Sequence, residues 1–106
     1  MRVLLDECVP LQVKSELFDH EVRTVGGMGW AGKKNGELLS LAATRFDVFV
    51  TVDRSLTRQQ NVPALRLGVV TLVAHSNKIE ALWPLIPRLR QAIRKVKPGQ
   101  VIRVTA

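Results

Sequence analysis

The sequence predicts a small three-layer α/β domain around a mainly parallel sheet, and three observations carry that expectation. Short apolar runs alternate along the chain with stretches whose apolar residues recur every three or four positions. Two of the runs, Val3-Leu4-Leu5 and Val48-Phe49-Val50, lack polar alternation, as strands buried on both faces do. The chain has 106 residues and 46% apolar content, which allows one modest core, so a single domain over residues 1–106 is expected.

Taken in order, the elements read β-α-β-α-β, a basic turn, then β-α-β. Strand one covers Arg2–Leu5. Pro10 can open a helix in its first turn, and Leu11, Val13, Leu17 and Phe18 supply an apolar face to about Asp19. Strand two is Glu21–Val25. Residues 26–36 contain five glycines and break regular structure. The second helix starts near Asn35, a plausible N-cap, and continues through Glu37, Leu38, Leu39 and Ala42 to about Phe46. Strand three is Val48–Val52, Ser55–Gln60 a short helical turn, and Gly68–Val73 strand four. Ser76-Asn77 is placed to cap a last helix, in which Leu82, Leu85, Ile86, Leu89, Ile93 and Val96 face inward and Trp83 joins the core. Pro84 kinks or restarts that helix and Pro98-Gly99 ends it. Val101–Val104 is a terminal strand of undetermined direction. Strand–helix alternation implies right-handed crossovers.

The charge is uneven. The total is +7, but residues 1–80 hold ten bases and all nine acids, whereas residues 81–106 hold six bases and no acid. Such a segment suits a polyanion or an acidic protein partner, and equally a solvated helix face. There is no run of about 18 apolar residues to span a bilayer. The opening run is too short for a signal peptide and meets acids at once, so a cytoplasmic location and no membrane partner are expected. Cys8 is the single cysteine, which excludes an internal disulfide and a cysteine-rich zinc site; its place next to the acids would allow reactivity, but it reads as a small inert residue.

Chemistry is concentrated where strands one and three end. Arg2–Leu5 runs into Asp6-Glu7, and Val48–Val52 runs into Asp53. Ligands of open α/β sheets bind outside the carboxyl ends of the strands. If the two strands are neighbours, Asp6 and Asp53 share one crevice and repel each other unless a cation lies between them. Glu37, in the first turn of helix two, is the third candidate, although the helix dipole alone favours an acid there. Asp6 and Asp53 could each instead cap the segment that follows. Two or three carboxylates with substrate phosphate make a site for Mg²⁺ or Mn²⁺, which can polarise a phosphoryl oxygen and supply hydroxide.

Gly27 to Lys33 matches the start of a phosphate-cradling P-loop, but the next position needs Ser or Thr and carries Lys34. A second reading is a mobile loop in which Trp30 stacks on a base while Lys33 and Lys34 meet phosphates, and a third is an ordinary crossover with a half-buried Trp30. Arg54 and Arg58 flank the acidic site and could position a phosphate. His20 and His75 have no metal-ligand spacing and receive no role.

The stretches Leu4–Glu7, Gly29–Leu39, Val50–Leu56 and Gly68–Leu72 together resemble the small PIN-like, Mut7-C-related toxins of bacterial toxin–antitoxin loci. That resemblance implies a single PIN-like domain that cuts single-stranded RNA with Mg²⁺ or Mn²⁺. Asp6, Glu37 and Asp53 would be its catalytic and metal-binding set, Glu7 an added ligand and Thr51 a polar support. It also implies a small antitoxin protein as partner, and self-association into a homo-oligomer stays open. One departure stands out: many PIN nucleases carry a further acid soon after strand three, whereas the next acid after Asp53 is Glu80. Two functions are therefore carried forward. One is a metal-dependent ribonuclease acting as a toxin; the other is a catalytically inactive PIN-like module that binds RNA or a protein partner.

Overall fold

A computed structural model describes residues 1–106. Its centre is one five-stranded sheet, every neighbouring pair parallel, in the order β2-β1-β3-β4-β5. The strands are β1 (Arg2–Leu5), β2 (Glu21–Thr24), β3 (Val48–Thr51), β4 (Gly68–Val73) and β5 (Val101–Thr105). The terminal strand, undetermined in direction from sequence, thus joins the sheet parallel to β4. The helices are α1 (Gln12–Ser15), α2 (Asn35–Arg45), α3 (Leu56–Gln59), α4 (Ile79–Leu82) and α5 (Ile86–Lys95).

Successive strand residues point to opposite faces, so an apolar run must be covered twice. Val3, Leu5, Val48, Val50, Val70 and Leu72 join Val13 and Leu17 beneath α1 and the apolar side of α5. Leu4, Phe49 and Val69 lie on the other face beneath α2 and α3, with Leu38, Leu39, Ala42 and Leu56. The three layers expected from sequence are present.

Local deviations have steric causes. The α1 segment is only four residues long, and Leu11 and Phe18 are exposed rather than part of its apolar face. At about 100° per residue, both lie well over a right angle from the buried Val13. The Arg90 guanidinium covers the Phe18 ring at 4.5 Å. The last helix does break at the prolines: Trp83–Leu85 is a 3₁₀ turn between α4 and α5. Residues three apart share a face in such a turn, so Leu82 and Leu85 are buried while Trp83 turns outward, 43% exposed and outside the core expected for it. Asn77 does not cap α4; its side-chain amide donates to the Cys8 carbonyl at 3.1 Å. Asn35 is the first helical residue of α2 rather than its cap.

The crossovers are not all of one hand. The β1-α1-β2 and β4-α5-β5 connections lie over the same face of the sheet but travel in opposite directions across it. One must therefore be left-handed if the other is right-handed. The exception is the long β4–β5 connection, because β1-α1-β2 has the same hand as the connections through α2 and α3. Here the α3 face over β4 is already filled by Leu56, Val62 and Leu67, whereas Val13 and Leu17 of the opposite layer meet the stripe of Leu89 and Ile93.

Candidate functional site

The strand order reverses direction at β1 and β3: from β1 the chain moves to β2 at one edge, and from β3 it moves toward β5 at the other. Such a switch point leaves a crevice at the carboxyl ends, because the following loops diverge. Asp6 follows β1 and Asp53 follows β3, so both acids belong to this place.

Thr51, the fully buried last residue of β3, connects them. Its hydroxyl donates to Asp6 Oδ2 at 2.7 Å and accepts from the Asp53 amide at 3.0 Å. The β1–β3 ladder extends to the Asp6 amide, which donates to the Val50 carbonyl at 2.9 Å, so the aspartate stands on regular backbone. Asp6 Oδ1 accepts from the Glu7 amide at 2.9 Å. Asp53 Oδ1 accepts from both the amide and the hydroxyl of Ser55, at 2.9 and 2.6 Å, while its Oδ2 makes no hydrogen bond. Asp53 thus holds the turn before α3 through one oxygen and does not cap the helix, whose N-cap is Ser55. Neither aspartate has a cationic partner.

Cys8 completes the group, its thiol 3.5 Å from Asp6 Oδ2 and 3.6 Å from Thr51 Oγ1. Burial pushes the Cys8 thiol above its ordinary value of 9.0, and the Asp6 charge acts in the same direction. The thiolate is disfavoured, in accord with an inert residue. Thr71 stands beside Thr51 in the β3–β4 register, and its buried hydroxyl has no partner. An orphaned hydroxyl at 1% exposure next to the Asp6–Thr51 bond is a place for an additional polar group, such as a water.

The other expected site residues are arranged around this pair. Glu7 turns to the glycine-rich loop, where its Oε1 accepts from the Gly32 amide at 3.2 Å. Glu37 is exposed and pairs with Lys33 at 3.1 Å across the first turn of α2. No three His, Cys, Asp or Glu side chains assemble as ligands of one metal ion, so Asp6, Glu37 and Asp53 are not brought into a single coordination cluster. A contact does tie the start of α2 to α3: a Cβ on Gly36 would meet the Gln60 side chain at 3.3 Å. An open cleft of about 390 Å³ adjoins Asp6 and Glu7, with Pro10, Leu11 and Thr24 along its wall. Asp53 and Glu37 lie outside it.

The loop of residues 26–36 is closed by hydrogen-bonded turns. The Trp30 amide donates to the Val25 carbonyl and the Lys33 amide to the Trp30 carbonyl, with Gly29 and Gly32 at positive φ where a side chain would be strained. Trp30 is half-buried, edge-on to Phe46 with ring centroids 6.1 Å apart. Lys34, Arg54 and Arg58 are exposed and have no acidic partner.

Sequence reasoning did not assign Ser55, Cys8 or Thr71 to the site. The Asp53-Arg54-Ser55 spacing suits a side chain that bonds the backbone two residues on, which was the available signal for Ser55. Cys8 lies two positions after Asp6, which was its signal, but it was read as inert; Thr71 had none, because its proximity depends on strand register. No family model, no curated protein and no solved structure matches the chain.

The donor chemistry suits a hard divalent cation: carboxylate oxygens with an uncommitted Asp53 Oδ2, a buried hydroxyl free to bond water, no imidazole in position, and one soft donor, Cys8, held as the thiol by burial. With two aspartates rather than an all-protein cage, several positions would remain for water and substrate oxygens, as Mg²⁺ prefers.

Proposed function

We propose that this protein is a metal-dependent ribonuclease of the PIN-like type, acting as the toxin of a toxin–antitoxin pair. The observation that carries the reading is the placement of Asp6 and Asp53 at the carboxyl ends of the two adjacent strands of the switch point, joined through the Thr51 hydroxyl. Asp6 and Asp53 would hold Mg²⁺ or Mn²⁺, with Glu37 and Glu7 as further oxygen donors once released from Lys33 and Gly32. The ion, when bound, supplies Lewis acidity and an activated water for phosphodiester hydrolysis. Thr51 fixes the Asp6 carboxylate, and Ser55 fixes Asp53 so that its free oxygen keeps one direction. Lys33, Lys34, Arg54 and Arg58 would neutralise the backbone of a single-stranded RNA, and Trp30 would stack on one of its bases.

The second reading, an inactive module that binds RNA or a protein partner, is favoured by one observation: Glu37 is tied to Lys33 and no third ligand joins the two aspartates. A cleavage assay on mixed single-stranded RNAs with Mg²⁺, Mn²⁺ or chelator separates the two. Cleavage that needs metal and disappears in Asp6→Asn supports the nuclease. Cleavage that persists in chelator rules the mechanism out, and RNA binding without cleavage under either metal favours the inactive module. No helix is long and apolar enough to cross a membrane.

A further inference from the structure

β5 is an edge strand, and the two edges of the sheet differ. At the β2 edge, Glu21 and Arg23 face each other at 3.7 Å, so charges of both signs are balanced there. At the β5 edge there is no acid at all. In a parallel ladder, alternate residues turn both backbone groups toward the neighbouring strand and the others turn both away. The Gln100 carbonyl accepts from the Val69 amide, which sets the phase: Ile102 and Val104 bond to β4, while Val101, Arg103 and Thr105 direct their amides and carbonyls outward. Of these outward groups only the Thr105 carbonyl is occupied, by the Arg88 guanidinium at 2.6 Å.

A groove of about 270 Å³ runs beside that edge, between β5 and α5. Ala92, Ile102 and Val104 supply apolar lining, and Arg88 and Lys95 stand along the helix side. Arg103 projects from the same strand toward the opposite face, next to Thr71 in register. None of the three has an acidic partner, whereas Arg90 and Arg94 of the same helix are both taken up by Asp19, at 3.2 and 2.7 Å. The positive excess of the C-terminal segment is therefore directed at the open edge.

We propose that β5 receives an extended, acidic segment of a partner protein as a sixth strand, with Arg88, Lys95 and Arg103 meeting its carboxylates. Backbone groups of β5 supply the pairing, and the cations on both faces select a chain with acids among its alternating residues. Five residues of strand give about 17 Å of contact, enough for a short peptide motif. A second copy of this chain fits poorly. In a two-fold antiparallel pairing centred on the strand, Arg103, the middle residue of Val101–Thr105, would lie opposite its own copy, and like charges directly opposed are destabilising. The proposal does not depend on the nuclease reading, since the edge lies two strands away from β3 and Asp53.

The test uses the whole chain, isotope-labelled, and an acetylated and amidated heptapeptide of alternating glutamate and valine. Saturable binding should slow hydrogen exchange at the amides of Val101, Arg103 and Thr105, while Ile102 and Val104, already bonded to β4, change little. Arg103→Gln combined with Lys95→Gln, both exposed positions, should weaken binding at least tenfold with the fold unchanged by circular dichroism. Asp6→Asn should leave it unaltered. The same peptide with N-methyl groups on alternate amides should fail to bind in at least one phase of methylation. No protection at the outward amides, undiminished binding of the peptides methylated in both alternate phases, or equal binding of a lysine–valine peptide overturns the proposal. So does a single-stranded oligoribonucleotide that protects this edge where the acidic peptide does not.

Discussion

The acids at the carboxyl edge and the bases along α5 are held in place by different means. Asp6 and Asp53 are fixed by neutral donors, namely the Thr51 and Ser55 hydroxyls and nearby amides, with no cation in contact. Hydrogen bonds of this kind fix direction while leaving the charge uncompensated. Along α5, Arg90 and Arg94 are compensated by a single acid, Asp19, and they dock that helix onto the α1 layer, where Arg90 also donates to the Glu16 carbonyl at 3.0 Å. The charge available to a ligand is what remains after internal pairing. By that measure the aspartates retain theirs, Arg88, Lys95 and Arg103 retain theirs, and Arg90 and Arg94 are structural.

The largest effect expected is on chemistry. If the proposed nuclease is correct, Asp6→Asn or Asp53→Asn lowers the cleavage rate by at least roughly 100-fold, because each removes a ligand charge with little change of shape. Arg94→Gln, on the compensated side, leaves the rate within about twofold of the parent by the same principle of charge already neutralised. A rate assay on labelled single-stranded RNA decides, and equal losses in all three variants would erase the distinction between the two regions.

Stability provides the next test. Thr51→Val removes the donor to Asp6 and leaves the Asp53 amide without its acceptor, so denaturant unfolding should report a loss of about 1–3 kcal/mol. Thr51→Ser keeps both bonds and should recover most of it, short of the missing methyl group. If valine and serine behave alike, the hydroxyl does not organise the site.

The glycine-rich loop holds one paired and one unpaired lysine. Lys33 is paired with Glu37 whereas Lys34 is free, so neutralising Lys34 alone should lower the salt slope of RNA binding by about 0.7, the value for one contact to a single strand. Lys33→Gln should do less to that slope and release Glu37 at the same time. A larger effect from Lys33 would mean that the ion pair opens when RNA binds.

The smallest effect is on pH dependence. The His20 ring is buried beside Asp19, Arg90 and Arg94, and burial holds its pKa below the ordinary 6.5 despite the opposing pull of Asp19. The unfolded chain therefore binds the proton more readily. The neutral ring's contribution to stability is fully present above pH 6.5 and is lost as pH falls through the folded-state pKa. Asp19 is held low chiefly by its bond from Arg94, and Asp47 by the Arg2 amide; their contributions are present above 3.8 and are lost below it in the same sense. Thermal melts of His20→Leu against the parent should differ in slope just below pH 6.5 and run parallel above it.

Much of the architecture was legible in the residues. Strands β1 and β4 lie where the apolar runs place them, and the inward stripe from Leu82 to Val96 is buried, because periodicity and β-branched content are local properties. The acids at the ends of β1 and β3 were likewise visible as strand termini. The sequence by itself therefore determined the α/β class, the element order and which acids end the central strands.

The remainder depended on contacts between residues distant along the chain. The Asp6–Thr51 bond, which links Asp6 to Asp53, joins residues 45 positions apart and exists only because β1 and β3 are neighbours in a particular register. That the Cys8 thiol and Thr71 border Thr51 follows from the same packing, whereas the Lys33–Glu37 pair is a local i,i+4 contact open to sequence reading. The layer chosen by α5 also lay beyond local patterning. An amphipathic stripe states that a helix must be buried but not on which face of the sheet. The free space over β4, the apolar side of α1 and the Asp19 carboxylate decided that, giving a crossover opposite in hand to the rest and leaving the β5 edge lined with uncompensated bases.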